Sequence, residues 1–174
     1  MDHPVQDAIR KRRSIREFTD EPVSRDALVT IVSAGIWAPS GLNNQPWRFI
    51  LVRDRDTCEQ LAQYTTYSHI ILGAPALIVV FLDREAMYNE VKDHQAAGAC
   101  IQNMLLATEE LGLGAVWLGQ ILRKRDKVSE LFSLSDTYEL MAVLAIGHPR
   151  HRNQKSQRKP FADFILNEIG GNQE

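Results

Sequence analysis

The longest strongly apolar stretch of the chain, Ala74 to Leu82, runs for nine residues and contains Pro75. A membrane helix needs roughly 20 apolar residues. The stretch therefore reads as a strand from Pro75 to Leu82, apolar on both faces and buried. The rest of the chain has to supply what covers it. Leu28, Ile31, Val32 and Gly35 or Ile36 recur at helical spacing and predict a core-facing helix over Arg25 to Trp37, with Ser24 as its N-cap and Asp26 in its first turn. A shorter helical pattern covers about Val5 to Arg13. Trp47 to Val52 reads as another strand, followed by a helix capped by Asp54 or Asp56 and ending near Tyr64. A long helix is predicted from about Asp93 to Leu111, with Ala, Gly and Cys over much of its surface. Such small residues suit close approach of another helix or ordinary packing within the chain. Asp93 is read as structural, supporting the helix N-terminus. With 174 residues, 44% of them hydrophobic, the chain has enough material for one domain with a sizeable core.

Several function classes fall away. Cys58 and Cys100 are distant in sequence and form no C-x-x-C pair, so they read as buried free thiols. The five histidines show no metal-ligand spacing. No G-x-S-x-G elbow and no phosphate-binding P-loop is present. Gly112-Leu113-Gly114 follows a helix and precedes a strand, Ala115 to Leu118, the reverse of a dinucleotide-binding glycine motif, and reads as helix termination with a tight turn. A pI near 6.2 argues against a general nucleic-acid binder. The chain opens M-D-H-P-V, without the pattern of a signal peptide, and is read as cytoplasmic. The tail from Gly170 is expected to be disordered.

Two features point to binding. Ala38 to Phe49, A-P-S-G-L-N-N-Q-P-W-R-F, places turn-forming and amide-bearing residues between a helix and a strand. Pro39 restricts its backbone, Gly41 can take positive φ, and Ser40, Asn43, Asn44 and Gln45 bring short donors and acceptors. Such a loop suits a planar heterocycle with a polar edge, and equally a plain helix-to-strand connection anchored by Trp47. Charge is the second feature. Arg10 to Arg16 and Arg150 to Lys159 together hold 10 of the 20 Lys and Arg in a chain of net charge -2. Guanidinium groups bind phosphate bidentately, and Ser14 adds a hydroxyl, so the two runs can converge on one anion. A charge run is also a common solvated face.

Read in order, R-R-S-I-R, A-P-S-G-L-N-N-Q-P-W, A-G-A-C-I-Q-N-M-L-L-A, G-L-G-A-V-W-L-G, I-G-H-P-R and R-K-P resemble the FMN-dependent nitroreductase family over most of the chain. The resemblance implies an α+β fold, a central mostly antiparallel sheet flanked by helices, in an interlocked homodimer. It implies FMN at the subunit interface, reduced by NADH or NADPH and reoxidised by a small electron acceptor in a ping-pong cycle. Carried over by residue, it places Arg12, Arg13, Ser14 and Arg16 at the phosphate and ribityl chain, with Arg158 and Lys159 closing from the C-terminal segment. Pro39, Ser40, Gly41, Asn43 and Gln45 would reach the isoalloxazine ring from the other subunit. Backbone groups of Leu118 and Gly119 would lie by its reactive edge. Trp117 is read as core, and Arg10 and Lys11 as surface charge outside the matching positions. Only about ten residues, Asp83 to Lys92, stand where larger members carry a helical insertion, and flavin contacts in Tyr64 to His69 stay unassigned. The same fold carries reductive dehalogenases and ene-reductases. A flavin carrier without turnover, or a binder of phosphate-rich ligands, is the reading from another class.

Overall fold

The computed structural model describes residues 3 to 170. Four strands, β1 (Trp47–Val52), β2 (Ala76–Asp83), β3 (Gly114–Leu118) and β4 (Tyr138–Gly147), form one antiparallel sheet in the order β1-β2-β4-β3. Its register runs from Trp47 opposite Leu82 to Val52 opposite Leu77, and from Ala76 opposite Ile146 to Asp83 opposite Tyr138.

Strand periodicity divides β2 between two cores. Ala76, Ile78, Val80 and Leu82 pack with α2 (Arg25–Gly35) and α5 (Glu90–Glu110). Leu77, Val79 and Phe81 pack on the opposite face with α3 (Arg55–Ala62), α4 (Ser68–Gly73) and α6 (Arg125–Leu131). The β2–β4 pairing slips at Val80/Phe81, where Val80 faces Ala142 but Phe81 faces Leu140. Met141 is the extra residue of this bulge, so Met141 and Ala142 both contribute to the α5 side.

Local chemistry sets the helix ends. Ser24 Oγ accepts from Ala27 N–H at 3.1 Å, and the Asp54 carboxylate accepts from Thr57 N–H at 2.8 Å. Asn89 Oδ1 accepts from Lys92 N–H at 3.0 Å. Asn89 therefore caps α5, which starts at Glu90 rather than near Asp93. At its other end Gly112 takes φ +72°, Gly112 N–H donates to Glu109 O and Leu113 N–H to Thr108 O, both at 3.0 Å. That pair of bonds is a Schellman closure, as expected for the glycine run.

The remaining helix, α1 (Pro4–Lys11), packs on α5. Past β3, Gln120–Lys124 forms a 3-10 turn. The outer edge of β3 takes a parallel bridge from Ser14, whereas the outer edge of β1 is unpaired among the described residues. Beyond Gly147 the chain bridges Phe18 at Pro149 and is then irregular and largely exposed to Gly170, apart from a 3-10 turn at Phe161–Phe164. The expected disordered tail beyond Gly170 lies outside the described residues. No helix among those described is long and apolar enough to cross a membrane. Cys58 and Cys100 are both buried and free, and burial pushes the Cys100 thiol up to about 12.

Candidate functional site

The chain leaves α2 through Trp37, whose ring is 85% exposed, and enters a tight loop before Trp47 returns it to the core. Gly41 is not the left-handed residue here. Leu42, Asn43 and Gln45 are, with φ of 54°, 55° and 47°. Such conformations cost an L-residue about 1 to 2 kcal/mol each, least for asparagine. Gly41 instead leaves room for the Tyr88 ring, which a Cβ there would meet at 2.1 Å and push aside.

Hydrogen bonds within the loop hold these angles. Asn43 N–H donates to Ser40 O, Gln45 N–H to Ser40 Oγ and Gln45 Nε2 to Asn43 O, all at 3.1 Å. Asn44 ties the loop to the body, donating through Nδ2 to Asp93 Oδ1 at 2.7 Å and to Ala86 O at 3.0 Å. Asp93 is fully buried, and its other oxygen accepts from the N–H groups of Tyr88 at 3.0 Å and Asn89 at 2.9 Å. Burial alone would push the Asp93 carboxyl up. The hydrogen bonds from Asn44, Asn89 and Tyr88, with the charge of His94, outweigh it and hold the group below the usual carboxylate range. Asp93 thus serves the loop as well as the helix start that sequence assigned to it. Its spacing of 49 residues from Asn44 left no signal in the chain.

The first basic run is split by the fold. After α1 ends, Ile15 N–H donates to Ala115 O at 3.0 Å and Ser14 bridges Ala115, making this segment a short extra strand beside β3. Strand alternation places Arg12, Ser14 and Arg16 on one side, and Arg13 with the buried Ile15 on the other. Arg16 is exposed and its guanidinium reaches only Ser14 O, at 3.3 Å. Arg13 Nη1 donates to Arg10 O at 2.5 Å and to Arg12 O at 2.8 Å, while its buried Nε has no partner.

The two basic runs do converge, but through a different residue from the one carried over. Arg10, Lys11, Arg13 and Arg152 line one cavity of about 470 Å³ together with Asp7 and Glu109. Arg10 and Lys11 therefore face a cavity shared with Arg13. Arg152 spends its guanidinium on both Glu109 oxygens at 2.9 Å and on the carbonyls of Gly112 and Leu113 at 3.0 and 2.9 Å. Arg158 and Lys159 lie on the exposed segment outside that cavity, with Arg158 bonded to Gln157 O at 3.0 Å and to the Ser156 hydroxyl.

Leu118 is buried and Gly119 exposed at the end of β3. The neighbouring Gln120 accepts through Oε1 from Thr65 Oγ1 at 2.6 Å and from Thr66 N–H at 3.0 Å. The Tyr64 to His69 segment is thereby brought against the β3 exit. Trp117, expected in the core, is 40% exposed: it shares the α5 face of β3 with the buried Ala115 and lies over Gly98 of α5. Among the described residues no hydrogen bond joins Arg12–Arg16 to the Ser40–Gln45 loop within one chain.

Comparison with known proteins agrees with this layout. The sequence model of the Nitroreductase family matches residues 9–66 and 58–148. An Archaeoglobus fulgidus protein, named as a candidate NADH dehydrogenase/NAD(P)H nitroreductase, is 34% identical over 142 residues, 80% of this chain and 82% of its own. The NADPH-flavin oxidoreductase of Vibrio harveyi is 28% identical over 174 residues, 93% of this chain and 72% of its own. Among solved structures, a candidate nitroreductase of Desulfovibrio desulfuricans in complex with FMN superposes with a TM-score of 0.93 at 53% identity, covering 98% of this chain and 100% of that one. By its sequence across most of its length and by its fold, this chain belongs to the nitroreductase family.

Proposed function

We propose that the chain is an FMN-dependent oxidoreductase that takes hydride from NADH or NADPH and delivers two electrons to a nitroaromatic, quinone or similar small acceptor, the two substrates using one site in turn. The observation that carries this reading is the face formed by Arg12, Ser14 and Arg16 beside β3. A guanidinium, a hydroxyl and a second guanidinium alternate along an extended backbone, and the outermost group, Arg16, has only one intramolecular bond. This donor set fits a phosphate monoester.

The polar loop fits the other end of the same cofactor. Pro39, Ser40, Gly41, Asn43 and Gln45 would hold the flavin ring, and the exposed backbone of Gly119 after Leu118 can offer an amide donor near its reactive edge. Arg13 lies next to the phosphate-facing residues, and Arg158 with Lys159 would approach from the exposed C-terminal segment. Bound FMN supplies the hydride and electron chemistry, and the protein supplies position, charge and exclusion of water.

A homodimer belongs to this reading. Trp37, Leu42, Val91, Phe161, Leu166 and Ile169 are all exposed apolar side chains that a second copy would cover. The separation of the basic strand from the ring loop within one chain also suits a site completed by a second copy.

A visible absorption spectrum of the purified protein, before and after FMN addition and desalting, tests cofactor retention. Steady-state oxidation of NADH and NADPH with menadione or nitrofurazone tests turnover. Many cycles per flavin are expected. A single stoichiometric reduction would make the protein a carrier, and failure to retain FMN would remove the proposal.

A further inference from the structure

We infer that Asp93 is a positioning residue for the ring-binding loop, acting through Asn44; the inference rests on the assignment of Ser40–Gln45 to the flavin. Leu42, Asn43 and Gln45 hold left-handed backbone angles that L-residues avoid, and the loop's own hydrogen bonds are joined by a hold from outside it. Among the described residues, the hydrogen bonds that tie Ser40–Gln45 to the rest of the molecule are those of Asn44 Nδ2 with Asp93 and Ala86, and one from the exposed Arg48 side chain to Gln45 O at 3.2 Å; the Asn44 pair holds the middle of the loop. Both Nδ2 protons are spent there.

Asp93 suits this task because a carboxylate is acceptor-only. One oxygen takes Asn44, and the other takes the backbone N–H groups of Tyr88 and Asn89. One buried group therefore joins the ring loop, the short Arg84–Asn89 connection and the first turn of α5. Tyr88 is drawn by the same contact over Gly41. Charge around the carboxylate is compatible with its ionised form: His94 lies next in sequence, and Glu139 is engaged by His94 at 3.4 Å and by Arg84 at 3.5 Å.

An Asp93→Asn variant keeps the volume and replaces one acceptor by a donor, which must face either Asn44 Nδ2 or the Tyr88 and Asn89 N–H groups. Asn44→Ala removes the same link from the loop side without touching α5. Flavin fluorescence titrations would be run on the wild type, both single variants and the double variant, with FMN and with riboflavin, which lacks the phosphate. Visible spectra of the bound flavin and circular dichroism would accompany them. Each single variant should bind FMN and riboflavin about tenfold more weakly, with the same change in the bound-flavin spectrum. Because Asn44→Ala also removes the bond to Ala86 O, the double variant should bind flavin no worse than Asn44→Ala.

A folded Asn44→Ala protein with wild-type affinity and spectrum would overturn the inference, even where Asp93→Asn fails to fold. So would a loss confined to FMN and absent with riboflavin, because it would place the effect at the phosphate. Wild-type protein that binds neither flavin would instead overturn the functional reading on which the inference stands.

Discussion

Arg16 and Arg152 are the same side chain in opposite circumstances, and they should fail differently. Arg16 is exposed with a single backbone contact, whereas Arg152 clamps Glu109 and two helix-end carbonyls. Arg16→Ala is expected to weaken FMN binding by about 1.5 to 3 kcal/mol, the loss of a charge-assisted hydrogen bond, in a fluorescence titration. Its melting temperature should barely move. Arg152→Ala should lower the melting temperature first, because it leaves a carboxylate and two carbonyls without their donor. Cys100 carries a pH prediction. Its folded-state pKa of about 12 lies above that of an exposed thiol, so the folded state keeps a proton that the unfolded chain releases. The resulting stability is fully present below about pH 8.5 and falls by about 1.4 kcal/mol per pH unit above it. Chemical denaturation between pH 8 and 10.5 checks that slope. Iodoacetamide at pH 8 should alkylate neither cysteine until the protein is unfolded.

Elements whose instructions are local were readable from the chain. Trp47–Val52 begins and ends as its pattern predicts, and Ser24 and Asp54 cap the helices they precede. Tyr138–Gly147 was not readable, because Leu140, Met141, Ala142 and Ala145 suit a helix as well as a strand, and only pairing with β2 decides between them. The start of α5 was displaced for a related reason: Asn89 and Asp93 are both plausible caps, and the burial of Asp93 that releases it for another task is a tertiary fact. At the site, the basic run and the amide-rich loop were legible as motifs. Their division into Arg12, Ser14 and Arg16 on one side and Arg13 on the other depends on the bridge to Ala115, which no local pattern announces. Gly114 secures that bridge. A Cβ there would lie 2.6 Å from Ile15 Cγ1. Gly114→Ala should therefore cost about 1 to 3 kcal/mol in urea denaturation and also weaken FMN binding, by moving the strand that carries Arg12 and Arg16.

At the scale of the molecule, the two cores on either side of the sheet account for the burial of β2 and most of β3 and β4, yet Phe161, Phe164, Ile165, Leu166 and Ile169 are exposed along the C-terminal segment. In the homodimer proposed above, these side chains would be covered by the other copy. A chain ending at Pro160 is expected to sediment as a monomer at micromolar concentration and to lose FMN on desalting, while its circular dichroism keeps the signature of the sheet and helices. Full-length protein under the same conditions should sediment as a dimer with its flavin. The outer edge of β1 has a further, colloidal meaning. Its backbone donors and acceptors form a template for any extended chain; Arg48 near one end is paired with Asp83 at 2.7 Å, which leaves the exposed Arg53 beyond the other end as the charge that holds another copy away. At ionic strengths near 1 M the Debye length shrinks to about 3 Å and that guard is gone. A protomer kept from its partner should then leave solution as β-rich aggregate rather than disperse as unfolded chain.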